Sequence, residues 1–442
     1  MSDSTGTPLR GWIATFAGTA VNLCLGILYA WSVWKAQLVG DLVHNPKLEV
    51  QRLAGTAMTG INSEWTYLTP AEGNWAYSIC GVVFALTMIL GGKIQDKFGP
   101  KLGVTLGGLS LAAGCILAGL MHSFIGLVIG FGVLGGIGMG LGYAATTPAA
   151  VKWFGPERRG LIVGIVVAGY GAAAIYISPL AEWLIGKYGI SGSFIGLGIL
   201  FSVVVVVAGQ LIHVPPPGYV PTSRVPNSAS SPITVTAVQW RAPEMLRTWQ
   251  FYALVFLFMC SAQAGLLLIG SAKTLFMETT KTDPSWAERT WIIVSFLGLI
   301  NALSRIGTGS YSDKLGRKNA YIINALVAAV GAAAIPYVVA NGQVALFFVL
   351  IGIAAWQYGG GLSLLPAFTA DYFGAKNMGF NYGLVFMGWG LAFFVPQLAE
   401  FLPRQPDEKY SIYGMYLSAG LLVAGCVVCA LLRRPIKAEQ AT

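Results

Sequence analysis

The chain has 442 residues, 10% of them charged and 55% hydrophobic, with a formal net charge of +9 and a mean hydropathy of +0.67. An ordinary soluble protein carries about a quarter charged residues, and a water-soluble chain of this length could not hide so much apolar surface. A soluble enzyme or binding domain is excluded.

Apolar runs near the ~20 residues that a helix needs to cross ~30 Å of hydrocarbon recur from end to end. They predict twelve membrane helices, at about 12–37, 75–95, 101–121, 123–149, 160–185, 191–213, 249–277, 289–311, 319–340, 343–369, 379–402 and 410–432. The start of the chain is short and polar, and no small-residue cleavage site follows the first run. That run is therefore expected to stay as a span, not to be removed as a signal peptide. Many of the 57 glycines lie inside the runs, as closely packed membrane helices require.

Two connections are long. Residues 38–74 form an outer loop of mixed polarity and a candidate lid. Residues 214–248 carry Pro215, Pro216, Pro217, Pro221, Pro226 and Pro232 and several serines and read as a flexible inner linker. The expected units are a first six-helix bundle over 1–213, the linker over 214–248 and a second bundle over 249–442. With the first residue inside, seventeen of the 27 Lys and Arg fall on the inner side and nine toward the outer one. The one left, Arg305, lies within a span. This distribution is the positive-inside pattern and puts both termini in the cytoplasm. The basic charge is a topology signal and not a nucleic-acid footprint.

The six cysteines (24, 80, 115, 260, 426, 429) lie in apolar runs. Cys426 and Cys429 form a CxxC, but within a last membrane helix they read as packing residues, not as a redox or metal pair. Histidines 44, 122 and 213 sit in or beside loops. No metal site, cofactor or catalytic set at one depth is expected, so an enzyme is disfavoured.

The two blocks repeat each other. Gly92-Lys-Ile-Gln-Asp96-Lys-Phe-Gly99 recurs as Gly309-Ser-Tyr-Ser-Asp313-Lys-Leu-Gly316, shifted by 217 residues. Pro148 and the later Trp-Phe-Gly155 recur as Pro366 and Tyr-Phe-Gly374, shifted by 218 to 219. Ala-Gly-Tyr-Gly171 recurs as Met-Gly-Trp-Gly390, shifted by 219. Parallel duplication of this kind is a carrier architecture, with a solute site between the halves near mid-membrane.

The G-x-x-x-D-[KR]-x-G-[RPK] pattern after the second and eighth spans resembles the signature of the major facilitator superfamily. The resemblance implies an all-α fold of two pseudo-symmetric six-helix bundles. In it Gly92, Asp96, Gly99, Gly309, Asp313, Gly316 and Arg317 belong to gate latches, where an aspartate caps a helix end and pairs with nearby cations. A narrower resemblance covers Tyr143 to Gly171, the eighth span before Arg305, and Tyr358-Gly-Gly to Asn381-Tyr-Gly383. These stretches are similar to the oxalate/formate antiporters and to bacterial relatives of the monocarboxylate transporters.

Arg305 carries the chemistry. It precedes Asp313 by eight residues, roughly 12 Å along a helix, and no Asp or Glu lies at comparable depth. Burying that charge costs several kcal/mol unless something answers it. A carboxylate solute would do so through a bidentate, charge-assisted pair. The alternative is a strut held by carbonyls, water or a boundary acid. Arg305 also falls where the resembling family has its substrate-binding arginine.

Asn301 lies one turn before Arg305, where animal monocarboxylate carriers have an acid, which puts their proton-coupling scheme in doubt here. Tyr143, Tyr358 and Trp389 are roughly 14 to 20 Å deep by helical rise. Leu28, Tyr29 and Trp31, in the Gly-Ile-Leu-Tyr-Ala-Trp stretch, are expected nearer the outer face. Leu28, Tyr29, Tyr143, Tyr358 and Trp389 join Arg305 and Asn301 as candidate cavity residues, with helix packing as the alternative for each aromatic. Tyr143 and Tyr358 match the family's cavity positions. Trp389 stands where oxalate-type antiporters have a second cation, so one buried charge suits a monocarboxylate better than a dianion. Lys35 and Lys273 are candidate outer attractors of an anion.

The expected function is a secondary carrier of a small monocarboxylate such as lactate, pyruvate or formate, by proton symport and alternating access. It would work as a monomer in the lipid bilayer of a bacterial inner membrane. Anion exchange is the alternative within transport, and a non-transporting sensor is a more distant one.

Overall fold

The computed structural model describes residues 9–40, 51, 53–221, 239–281, 285–286, 291–395, 398, 402 and 412–436. Among these residues the only extended pairing is an isolated bridge between Ala57 and Thr66. Among the described residues, nine helical segments are long and apolar enough to cross a membrane.

They resolve into the twelve helices of the repeat. The longest, Arg159–Gln210, is two spans joined at Gly189, whose φ of 75° breaks the helix. Two more helices are not among the nine. One carries Arg305 among Asn301, Ser304 and Thr308, which lowers its hydropathy. The other is broken by a turn between Met378–Val385 and Met387–Ala392.

The first half is α1 (Leu9–Val39), α2 (Pro70–Phe98), α3 (Pro100–Met121), α4 (Phe124–Val151), α5 (residues 159–188) and α6 (residues 190–210). The second is α7 (Trp249–Thr279), α8 (Trp291–Leu315), α9 (Arg317–Ala340), α10 (Val344–Phe373), α11 (residues 378–395) and α12 (Ile412–Leu431).

Local chemistry sets several boundaries. Helix α2 starts five residues before the expected 75. Thr69 accepts the Glu72 N–H at 3.0 Å, Glu72 Oε2 accepts the Thr69 N–H at 2.7 Å, and a proline opens the helix. Helices α2 and α8 both end in a glycine at positive φ, Gly99 at 83° and Gly316 at 84°. A residue with a side chain is strained there, which explains the glycine in both repeats.

The end of the molecule that carries these two turns is called here the basic end. The described part of the 38–74 segment packs on the opposite end of the first half. Trp65 Nε1 donates to Ser191 Oγ at 2.9 Å, and Asn62 Oδ1 accepts the Ile190 N–H at 2.8 Å. Glu64 lies 2.8 Å from His122. Cys426 and Cys429 are free and face the carbonyls of Ile322 and Lys318.

The halves meet along two crossings that obey the repeat offsets. In α5 against α8, a methyl on Gly160 or Gly164 would overlap the carbonyl oxygen of Gly309 or Arg305, and one on Gly171 would lie 3.3 Å from Ala302 Cα. In α11 against α2, a methyl on Gly379, Gly383 or Gly390 would lie 2.7 Å from Gly92 O, 2.6 Å from Met88 O or 2.7 Å from Ala85 Cβ. Glycines 160, 164 and 171 become 379, 383 and 390, all shifted by 219. Their partners 85, 88 and 92 become 302, 305 and 309, all shifted by 217. Backbone-to-backbone approach of this kind is how membrane helices gain packing energy, and it closes the basic end.

Candidate functional site

At the basic end each aspartate reaches into the other half. Asp96 on α2 accepts the N–H groups of Gly379 and Phe380, which open α11, at 3.3 and 2.8 Å. Asp313 on α8 accepts those of Gly160 and Leu161, which open α5, at 3.0 and 2.9 Å. Both carboxylates satisfy otherwise unpaired donors at a helix N-terminus and sit at its positive pole.

The cations around them differ. Lys152 is 3.6 Å from Asp96. Arg317 pairs with Asp313 at 2.6 Å and with Asp371 at 3.0 Å, while Arg159 from the first half pairs with Asp371 at 3.2 Å. The second latch is thus part of a four-residue ionic network.

Arg305 lies deeper, with 0% of its surface exposed. Its Nε donates to Asn301 Oδ1 at 3.1 Å, one turn back on α8. One terminal nitrogen donates across the interface to Val167 O on α5 at 2.6 Å, and the other to the Tyr29 hydroxyl on α1 at 3.2 Å. Tyr29 and Tyr358 hydroxyls lie 2.7 Å apart, and Trp389 Nε1 donates to Tyr358 at 3.2 Å. The site therefore joins α1 and α5 of the first half to α8, α10 and α11 of the second.

Donors outnumber acceptors in this cluster. The guanidinium has five N–H groups and the bonds to Asn301, Val167 and Tyr29 engage three. Two tyrosine hydroxyls bring two protons, and the bond between their oxygens takes one. Among the described residues Arg305 bonds to an amide, a carbonyl and a hydroxyl, and no carboxylate is within ion-pair distance of it. A buried, donor-rich, positively charged cluster is chemically suited to an anion with two oxygens.

Of the residues in the Gly-Ile-Leu-Tyr-Ala-Trp stretch, Tyr29 is the one whose hydroxyl reaches Arg305. Residues 26–30 form a tight 3-10 turn within α1 at the point where Gly26 touches the Tyr170 backbone of α5. Tyr29 lies in this turn. Trp31 instead packs within the first half, stacked on Phe131 at 4.7 Å with its indole N–H on Gly73 O at 2.9 Å. Leu28 is fully buried.

Tyr143 is within electrostatic reach of Arg305 without bonding to it. Its hydroxyl faces that of Tyr382, short of a regular hydrogen bond. The Lys35 side chain packs over Gly73 on α2. The Lys273 side chain lies outside the described residues.

Val167 and Tyr382 were not singled out in the sequence. A main-chain carbonyl leaves no residue-type signal. Tyr382 lies inside Asn381-Tyr-Gly383, a stretch already marked by resemblance. The receivers of Asp96 and Asp313 follow from the same repeat, because 160–161 and 379–380 correspond at an offset of 219.

Two pseudo-symmetric six-helix halves, latched at one end and with a buried cation deeper between them, have the architecture of a multi-pass membrane transporter. The chain belongs to the Major Facilitator Superfamily, whose pattern it matches over residues 11–396.

It is 28% identical to the oxalate:formate antiporter of Oxalobacter formigenes over 375 residues, covering 78% of this chain and 86% of that one. It is 23% identical to apicoplast pyruvate carrier 1 of Toxoplasma gondii over 476 residues, covering 90% and 86%. Among solved structures, the human organic anion transporter MFSD10 superposes with a TM-score of 0.66 at 14% identity, covering 96% of this chain and all of that one.

Proposed function

We propose that this transporter is a secondary active carrier of small monocarboxylates of the lactate, pyruvate and formate type, moved together with a proton. The observation that carries this reading is Arg305, a fully buried cation with N–H groups to spare and, among the described residues, no carboxylate answering it. A single carboxylate supplies the missing charge, and a dianion would bring one charge too many, since Trp389 and not a second cation borders the cluster. The printed names of the relatives, an oxalate:formate antiporter and a pyruvate carrier, agree with a small carboxylate. Co-transport of a proton cancels the charge of the moving anion. On this reading the basic end faces the cytoplasm of a bacterium, both termini included, and the monomer is the working unit.

Exchange of one anion for another is the second reading, favoured by the Arg305 bond to Val167 across the halves. In the empty carrier that bond must break as the basic end opens, with no solute to replace it.

Uptake into proteoliposomes tests both. Radiolabelled lactate should accumulate under an inward proton gradient and stop when the gradient is collapsed. A requirement for a loaded counter-anion instead establishes exchange, and no uptake of any carboxylate refutes both readings. Arg305→Lys keeps the charge and loses the fork. Transport should then fall roughly thirtyfold, the worth of about 2 kcal/mol of charge-assisted hydrogen bonding, with unchanged expression. Normal transport by that variant removes Arg305 from the site.

A further inference from the structure

Both described ends of the segment between the halves are anchored, each on a turn that receives an aspartate. At its start, His213 O accepts the Trp153 indole N–H at 2.7 Å, and the Tyr219 hydroxyl donates to Trp153 O at 3.2 Å. Trp153 belongs to the turn that leads into Gly160 and Leu161. At its end, the Trp240 N–H donates to Phe373 O at 3.0 Å. The Trp240 carbonyl accepts the side-chain amides of Asn377 and Asn381 at 2.8 and 3.1 Å. Gln239 Oε1 accepts the Lys376 N–H at 2.9 Å. The Trp240 ring is 4% exposed and meets Phe373 edge-on at 5.8 Å.

These contacts surround the turn whose next N–H groups, on Gly379 and Phe380, are bound by Asp96. The first four N–H groups of a helix have no partner within it. Here Asp96 takes two at the start of α11, and Gln239 takes that of Lys376 in the turn just before. The pseudo-symmetric turn is built otherwise. Phe154, the counterpart of Phe373 at an offset of 219, is met edge-on at 5.1 Å by Trp12 of α1 itself. Its aspartate, Asp313, is also bound by Arg317 within the ionic network, whereas Lys152 stands 3.6 Å from Asp96. The more weakly supported latch is the one whose receiving turn Gln239 and Trp240 hold with four hydrogen bonds.

We propose that Gln239 and Trp240 are positioning residues of the Asp96 latch. They hold the 374–381 turn so that the Gly379 and Phe380 N–H groups point at Asp96 before the halves meet, and so favour the state closed at the basic end. The contacts of Gln239 and Trp240 described above lie within the second half, while Asp96 lies in the first. Their contribution is therefore pre-organisation of the receiving site, which lowers the ordering cost when the latch closes.

Hydrogen exchange measured by mass spectrometry on the whole purified protein, without substrate, tests this independently of the carboxylate reading. Gln239→Ala removes the acceptor of the Lys376 N–H, and Trp240→Ala removes the ring that packs on Phe373. In each, amides in 375–381 should exchange several-fold faster, as expected for loss of one hydrogen bond or one ring contact. Amides in 157–162, on the other latch, should rise much less, since only the shared opening of the basic end reaches them. Combining Gln239→Ala with Asp96→Asn should add nothing beyond Asp96→Asn alone, because both act through one interaction. Unchanged exchange over 375–381 in both single variants overturns the proposal. So does an equal rise in the two regions, or full additivity in the double variant, since either assigns the contacts a general structural role.

Discussion

Arginine keeps its proton at any pH a protein meets, so burying Arg305 cannot be relieved by neutralisation as it could for a lysine. The fold relieves it with dipoles. Asn301 Oδ1, Val167 O and the Tyr29 hydroxyl each take one N–H. Dipoles satisfy hydrogen bonds without cancelling the charge, which leaves the cluster ready for an anion. The Tyr29–Tyr358 pair extends it, since Tyr358 also takes the Trp389 indole N–H. Tyr358→Phe strands that donor and removes the partner of Tyr29. Leaving a buried group unpaired costs about 1–3 kcal/mol, so the KM for a transported carboxylate should rise roughly tenfold while the protein still folds. An unchanged KM in proteoliposome uptake would take the hydroxyl pair out of the site.

Among the helices, α5 and α8 are coupled through glycine. Gly164 lies against the carbonyl oxygen of Arg305, with no room for a methyl group. The helix that carries the cation is therefore in direct backbone contact with the other half. A change in α5–α8 spacing moves the site and the basic-end latch together. Gly164→Ala should push the crossing apart and loosen the Asp313 latch, so the Gly160 and Leu161 amides should exchange faster. Gly186→Ala, on the same long helical segment but with nothing within 4 Å of the added methyl, should leave them unchanged. Equal behaviour of the two variants would show that the crossing is not closely packed in solution.

For the whole molecule, the state closed at the basic end is held by Asp96, Asp313 and Asp371, which each bind across the halves, the last two within one ionic network. Asp371 joins Arg317 of its own half to Arg159 of the other and is almost fully buried. Removing one partner of a buried pair leaves the others unpaired and costs roughly 3 kcal/mol. Asp371→Asn should therefore lower the unfolding temperature in detergent and raise exchange at both latches. An unaltered unfolding temperature would mean that the network contributes nothing net.

Much of this arrangement was legible in the amino-acid order, for a physical reason. Hydropathy, charge and repeat offset are local properties, and a bilayer acts on each segment almost separately. The chain alone determined the spans, the two halves, the paired aspartates and a buried cation with no acid at its depth. Tertiary structure decided what depends on the approach of distant segments. The approach of α1 to α8 made the Tyr29 hydroxyl a partner of Arg305, and the α5–α8 crossing made Val167 O another. Docking of Gln239 and Trp240 turned the end of a proline-rich linker into part of a latch. Main-chain carbonyls and N–H groups do most of this work. They are present at nearly every position, so only the folded geometry selects which of them matter.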